Sequence, residues 1–272
     1  MENPERQQDG RAAAMNRYIR LFRFVSDWWK HFAVKAGMKV EDPVVFHLKN
    51  GVRMEVPVSL YHEFKEIFME DCYLTGLAGP LPAAPVVVDI GANAGFFCLF
   101  VASIRPEARI VCCEPIPANF AQLSRNAAIN PHLDITALPI AVYDRTGRIQ
   151  LVVESENAFT TAATVFPMDG RIPVEVECIS LRDLFDRHDL ERVDLLKLDC
   201  EGSEYAILYR CPADYLKRVE RMAVEVHGGT EPDHNINALE KFLTGMGFRT
   251  HTAGHMLWAR REAKADAMEA RR

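Results

Sequence analysis

The sequence predicts an α/β protein with a mostly parallel sheet and helices on both faces. Three observations carry this. From residue 86 onward, short apolar runs alternate with helix-length segments, and such alternation builds parallel βαβ units. The run VVVDIG at 86–91 is apolar up to its acidic end, as a buried strand is. It passes through the glycine turn GANAG straight into GFFCLFVASIR, the strand–turn–helix order of nucleoside-binding folds.

Composition agrees. The chain has 272 residues, 49% of them hydrophobic, enough for one large domain or a domain with an appendage. A formal net charge of −6 argues against nucleic acid as the partner of the whole chain. The N-terminus MENPERQQDG is polar, unlike a secretory leader, and no run approaches the roughly 18 apolar residues of a membrane span. Cys72, Cys98, Cys112, Cys113, Cys178, Cys200 and Cys211 form no CxxC pair and sit mostly in apolar runs. Reduced, buried thiols in a cytoplasmic protein are expected.

Residues 1–11 read as a disordered tail and 12–82 as an N-terminal helical and hairpin extension. Within 12–36, Met15, Tyr18, Ile19, Phe22, Val25, Trp29 and Phe32 recur at three- and four-residue steps. This predicts one amphipathic helix ending at Gly37. Arg17, Arg20, Arg23 and Lys30 lie largely off its stripe. Such a helix packs on a core, on a second subunit or on a membrane surface. VVFHLKNGVRMEVPV at 44–58 alternates around Asn50-Gly51, which signals a hairpin. SLYHEFKEIFMEDCYLTG at 59–76 follows as a helix with Phe64, Ile67, Phe68 and Cys72 on one side. Pro80, Pro82 and Pro85 mark the break before the main domain at 83–261.

In that domain RIVCCEP, DITALPIAVY, RIQLVVE, IPVEVECISL, VDLLKLDC and RMAVEVHG read as further strands, with FRTHTA and HMLWAR closing the sheet. PANFAQLSRNAAIN, LRDLFDRH, SEYAILYRC and NINALEKFLTGMG read as the helices between them. A charged tail is expected at 262–272.

Ligands of such sheets bind beyond the carboxyl ends of the strands. Gly91 and Gly95 let the backbone approach a ligand, and Asn93 tolerates left-handed geometry. A dinucleotide fold expects G-x-G-x-x-G. Here the pattern is D-x-G-x-N-x-G, with Asn93 in place of the central glycine and Asp89 before the first. An acid there suits the ammonium and sulfonium of S-adenosylmethionine and repels a pyrophosphate. Glu114, at the end of the second strand, stands where either fold holds ribose hydroxyls. A tight turn with no ligand is the structural alternative.

VVVDIGANAGFFCLF, CCEPIPANF, ALPIAVYDRTG, CISLRDL, VDLLKLDCEGSEYAIL and MAVEVHG, with FKEIFMEDCY upstream, resemble in order and spacing the FkbM family of S-adenosylmethionine-dependent methyltransferases. The resemblance covers roughly residues 60–258. It implies the class I methyltransferase fold: a Rossmann-like, seven-stranded sheet whose last strand runs antiparallel. It also implies methylation of a hydroxyl on a small metabolite, polyketide or glycan. By position, Asp89, Gly91, Asn93 and Gly95 would line the methionine end of the cofactor. Glu114 would hold the ribose with Asn119 nearby, and Ile140 and Ala141 would flank the adenine.

The strand DLLKLDCEGSE then brings Asp199 and Glu201 to the transferring methyl. Glu204 caps the following helix or serves the site. His227 lies two positions after Glu225, so both point to one face. Asp199, Glu201 and His227 are the candidate catalytic residues, and His227 has the free pKa best suited to a base. Its structural alternative is a hydrogen-bonded strand-end residue. These groups with Glu225 could cradle a divalent cation, but no spacing fixes a metal and none is assigned. The aperiodic segment 154–171, with 37–80, is the candidate for acceptor recognition. Tyr61, His62 and Tyr73 are possible contacts there. The other function classes are an NAD-type oxidoreductase and a non-catalytic nucleoside-binding module.

Overall fold

The structure, a computed structural model, describes residues 15–154, 159–160, 163–165 and 170–262. The tail expected at 1–11, and all but the first residue of that expected at 262–272, lie outside them.

The stripe at 12–36 forms two helices, α1 (15–24) and α2 (Trp29–Lys35), where one is expected. The break has a cause. Val25 bridges to Leu48, Ser26 N–H donates to the His47 carbonyl, and Asp27 accepts from the His47 amide. The hairpin thus takes the backbone bonds that would continue the helix. That hairpin is β1 (Val44–His47) and β2 (Arg53–Val56), paired Val44↔Val56 through His47↔Arg53, as its alternation predicts.

The helix expected over 59–76 is shorter. α3 (Tyr61–Lys65) passes into a π-helical turn at Glu66–Glu70, and Asp71 closes it in the left-handed region at φ 57°. The Asp71 carboxylate then accepts the Leu74 amide. This turn swings Tyr73 inward, where it is 6% exposed.

The main domain continues with β3 (Val86–Ile90), α4 (Phe96–Ile104), β4 (Arg109–Cys113), α5 (Pro117–Ala128) and β5 (Asp134–Leu138). Then come β6 (Ala141–Tyr143), β7 (Gly147–Val153), β8 (Ile172–Ser180), α6 (Leu181–Arg187), β9 (Leu195–Leu198), α7 (Glu204–Arg210) and α8 (Ala213–Leu216). β10 (Arg221–Glu225), α9 (Ile236–Gly245), β11 (Phe248–Ala253) and β12 (Met256–Arg261) complete it. Seven strands form one sheet in the order β11-β12-β10-β9-β3-β4-β5. β9, β3, β4 and β5 run parallel, as do β9 and β10, while β12 is antiparallel to both its neighbours. This is the α/β architecture expected.

DITALPIAVY is two strands, not one. Pro139 has no N–H to continue the ladder, and β6 leaves to join a separate three-stranded sheet, β6-β8-β7. α4 is buried from Phe96 to Ala102. One of its flanks receives the N-terminal extension through Phe46, Phe64, Phe68 and Phe100, with Phe68 and Phe100 edge to face at 5.2 Å. Cys98 of α4 and Cys112 of β4 bring their sulfurs into contact.

Candidate active site

The carboxyl ends of β3, β4, β9 and β10 meet at one edge of the sheet. At the tip of β3, the Gly91 and Ala92 amides both donate to the Cys113 carbonyl at 3.0 Å, and the chain turns through φ 74° at Gly91, 50° at Asn93 and 81° at Gly95. A Cβ on Gly91 would collide with the Asp199 carbonyl oxygen, so this glycine lets the β3 and β9 loops touch. A Cβ on Gly95 would meet Leu123 of α5. Gly95 therefore serves helix packing and does not line the cleft.

Asp89 is also placed differently from expectation. It is fully buried beneath the turn, 3.1 Å from the Lys197 ammonium and 3.1 Å from Cys98 Sγ. Burial raises its carboxyl while Lys197 opposes that rise. Lys197 also donates to the Gly91 carbonyl at 2.7 Å and stands 3.6 Å from Asp199. Burial alone would lower this lysine, but Asp89 and Asp199 outweigh it and keep the ammonium charged. Asp89 thus neutralises a buried cation that fixes the turn, and it is itself closed off from the sheet edge. A lysine inside the apolar run DLLKLD was the available signal, because a buried lysine requires a partner.

Glu114, at the tip of β4, accepts the Asn93 and Ile116 amides on its two oxygens, each at 2.8 Å. Burial pushes its carboxyl up to about 7 against those two bonds. A cleft opens beside it, walled by Ile116, Ala141, Val142, Ile149 and Leu151 and reached by Gly91, Asn93, Asn119, Asp199 and Glu201. No Lys, Arg or His lines it among the described residues. The small sheet β6-β8-β7 supplies its apolar side. Asn119 donates to the Thr160 carbonyl at 2.7 Å, which fastens part of the 154–171 segment over this cleft.

Beyond β9, Glu201 takes a left-handed conformation at φ 53°, costly for a residue with a side chain. Fully buried Glu204 organises the turn, accepting the Cys200 and Gly202 amides and His227 Nδ1–H, the last at 2.8 Å. His227 Nε2 lies 3.6 Å from Glu201. Burial would lower the imidazole, but the hydrogen bond and charge of Glu204, helped by Glu201 and Asp199, raise it to about 9. Glu204 and Glu201 thus favour the protonated imidazole at His227, the candidate proton acceptor by sequence. Burial raises Glu201 to about 7, with His227 opposing and Asp199 reinforcing. Tyr73 Oη donates to Asp199 at 2.6 Å and lies 3.3 Å from Glu225. Burial and Asp199 together raise Glu225. One oxygen or nitrogen each from Asp199, Glu201 and His227 lies within 4.8 Å of the others, close enough to hold a metal ion.

A second cavity of about 390 Å³ adjoins the first. Its far side comes from the N-terminal extension through His62, Glu63, Glu66 and Tyr73, with His255 and Met256 opposite. Tyr61, a possible contact by sequence, instead bonds His31 Nδ1 at 2.7 Å. Gly91, Asn93, Asp199 and Glu201 line both cavities.

The profile of the family described as Methyltransferase FkbM domain matches residues 89–250. The chain belongs to the FkbM methyltransferase family. It is 32% identical to Methyltransferase sdnD of Sordaria araneosa over 216 residues, covering 68% of this chain and 80% of the relative. It is 28% identical to 31-O-demethyl-FK506 methyltransferase FkbM of Streptomyces tacrolimicus over 212 residues, with the same coverage. The crystal structure of Methyltransferase FkbM from Methylobacillus flagellatus KT overlays with a TM-score of 0.46 at 17% identity, across 74% of this chain and 50% of that one. In FkbM-family terms, the matched segment starts at Asp89 in β3 and ends in β11. Tyr73 lies upstream of it and reaches the site only through the π-turn.

Proposed function

We propose that this FkbM-family methyltransferase transfers a methyl group from S-adenosylmethionine to a hydroxyl of a small metabolite, polyketide or glycan. The observation that carries the reading is the pair of cavities meeting at Gly91, Asn93, Asp199 and Glu201. A donor in one and an acceptor in the other would place methyl and oxygen at those four residues. When bound, the donor supplies an electrophilic methyl on a sulfonium.

The residues fit that donor. Glu114 retains lone pairs for ribose hydroxyls while its two amide partners hold it still. The apolar wall at Ala141, Val142, Ile149 and Leu151 suits an adenine face. Asp199 suits an ammonium and a sulfonium. A dinucleotide would leave its diphosphate with no cation in the cleft, which disfavours the oxidoreductase reading.

Glu201 is the group whose pKa is matched to taking a proton from an alcohol near neutral pH. Tyr73 fixes Asp199, and the Glu204–His227 pair fixes the turn that carries Glu201. Holding donor and acceptor in line supplies the larger part of the acceleration, about 7–11 kcal/mol. The name of the 28% identical relative, a 31-O-demethyl-FK506 methyltransferase, favours oxygen as the acceptor atom.

Calorimetry with S-adenosylhomocysteine and with NAD, followed by a screen of hydroxylated acceptors with methyl-labelled donor, tests the reading. S-adenosylhomocysteine binding and label on oxygen are expected. Binding of NAD alone would overturn it.

A further inference from the structure

α1 and α2 carry an apolar surface that the fold leaves uncovered. Met15, Ile19, Phe22, Trp28, Trp29 and Phe32 are 38–63% exposed. Their neighbours Leu21, Val25 and His31 are buried against the hairpin and α3, which fixes the direction the exposed set faces. Phe22, Trp28 and Phe32 form one aromatic cluster with Tyr18. Phe22 meets Trp28 edge on at 5.0 Å, and Phe32 lies 6.0 Å from Trp28 and 5.7 Å from Tyr18. Met38, 63% exposed, follows α2. Exposed Arg23, Lys35 and Lys39 belong to the same segment. Residues 15–39 hold six Lys or Arg in a chain of net charge −6; Arg17, Arg20 and Lys30 pair with Glu70, Asp71 and Asp27, which leaves Arg23, Lys35 and Lys39 as the cations beside the patch.

We propose that this patch docks the protein on an anionic lipid bilayer, with α1 and α2 lying in the interface. Aromatic and aliphatic side chains on a helical surface, with basic residues beside them, match the boundary between headgroups and acyl chains. The local positive charge matches acidic headgroups. A second copy of the chain fits less well, because a two-fold contact through this patch would set the basic side chains of one copy against those of the other. No described helix is long and apolar enough to cross a membrane, so the contact is peripheral.

Flotation of the full chain with phosphatidylcholine vesicles, with and without phosphatidylglycerol, tests this. Binding to the anionic vesicles, weakened by salt, is expected. Ile19→Ser/Trp29→Ser should reduce it about tenfold or more, and Arg23→Gln/Lys39→Gln should reduce it about tenfold on anionic vesicles only. Each variant is checked for a melting temperature like the parent's. Should the apolar pair fail to fold, the charge pair still decides. No flotation of the parent, unchanged flotation of the folded variants, or a dimer in sedimentation that Ile19→Ser/Trp29→Ser dissociates would each overturn the proposal.

Discussion

His227 donates its Nδ1–H to Glu204 across 2.8 Å, and the accepting carboxylate is completely buried. The bond joins the end of β10 to the first turn of α7. It also sets the charge state of the imidazole.

The sign of the resulting pH dependence follows from linkage. His227 is raised to about 9, above free imidazole. The stability it contributes is complete below about 6.5 and is lost as pH rises through about 9. Denaturant midpoints should fall across that window. Glu204→Gln should flatten the dependence and remove about 1.5–3 kcal/mol at neutral pH, the worth of a charge-assisted bond. A proton resonance of His227 titrating near its free value in the parent would contradict this.

Glu201 is assigned the proton-accepting role, so kcat/KM should rise with pH through about 7, where its carboxyl loses a proton. Glu201→Gln should lower turnover about 10²- to 10⁴-fold and abolish that limb. S-adenosylhomocysteine affinity should stay within about threefold, since the lost interaction belongs to the transition state. Equal losses of turnover and affinity would make Glu201 a cofactor-binding residue.

Glu114→Ala separates binding from folding. Loss of the charged acceptor should weaken S-adenosylhomocysteine about ten- to a hundredfold, on a charged hydrogen bond of about 1.5–3 kcal/mol. The Asn93 and Ile116 amides would also lose their partner, so the melting temperature should drop. A drop in melting temperature with unchanged affinity would leave Glu114 a purely structural clamp.

Much of this site was legible in the sequence, for reasons that differ by residue. Gly91, Asn93 and Glu114 are dictated by local backbone demands, which a strand–turn–helix pattern exposes. Asp199 and Glu201 were legible because an apolar strand ended in acids. The burial of Asp89 was not legible because its partner Lys197 lies 108 residues away, on the neighbouring strand; only the pairing Asp89↔Lys197 in the sheet register brings them together. The partner of His227 was not legible, because Glu204 is equally explicable as a helix cap. Tyr73 was legible as a possible contact, but its bond to Asp199 depends on the π-turn at Glu66–Glu70, which no helical period shows. The split of DITALPIAVY turned on Pro139, a visible signal that the apolar run masked.

The Asp89–Lys197 pair yields the sharpest stability test. Lys197 is 3% and Asp89 0% exposed, so neither charge can be met by water. Lys197→Met leaves the Asp89 carboxylate buried without its cation, and breaking such a pair costs about 3–5 kcal/mol. It also removes the donor to the Gly91 carbonyl, so the glycine turn should loosen and cofactor affinity fall with stability. Asp89→Asn/Lys197→Met removes both charges and should regain more than half of the stability lost, because the desolvation cost disappears with the carboxylate. Urea denaturation of the parent, both single variants and the double variant measures the coupling. Simple additivity of the two single losses would show that the pair does not interact in solution, and the account of Asp89 as a structural counter-charge would fall.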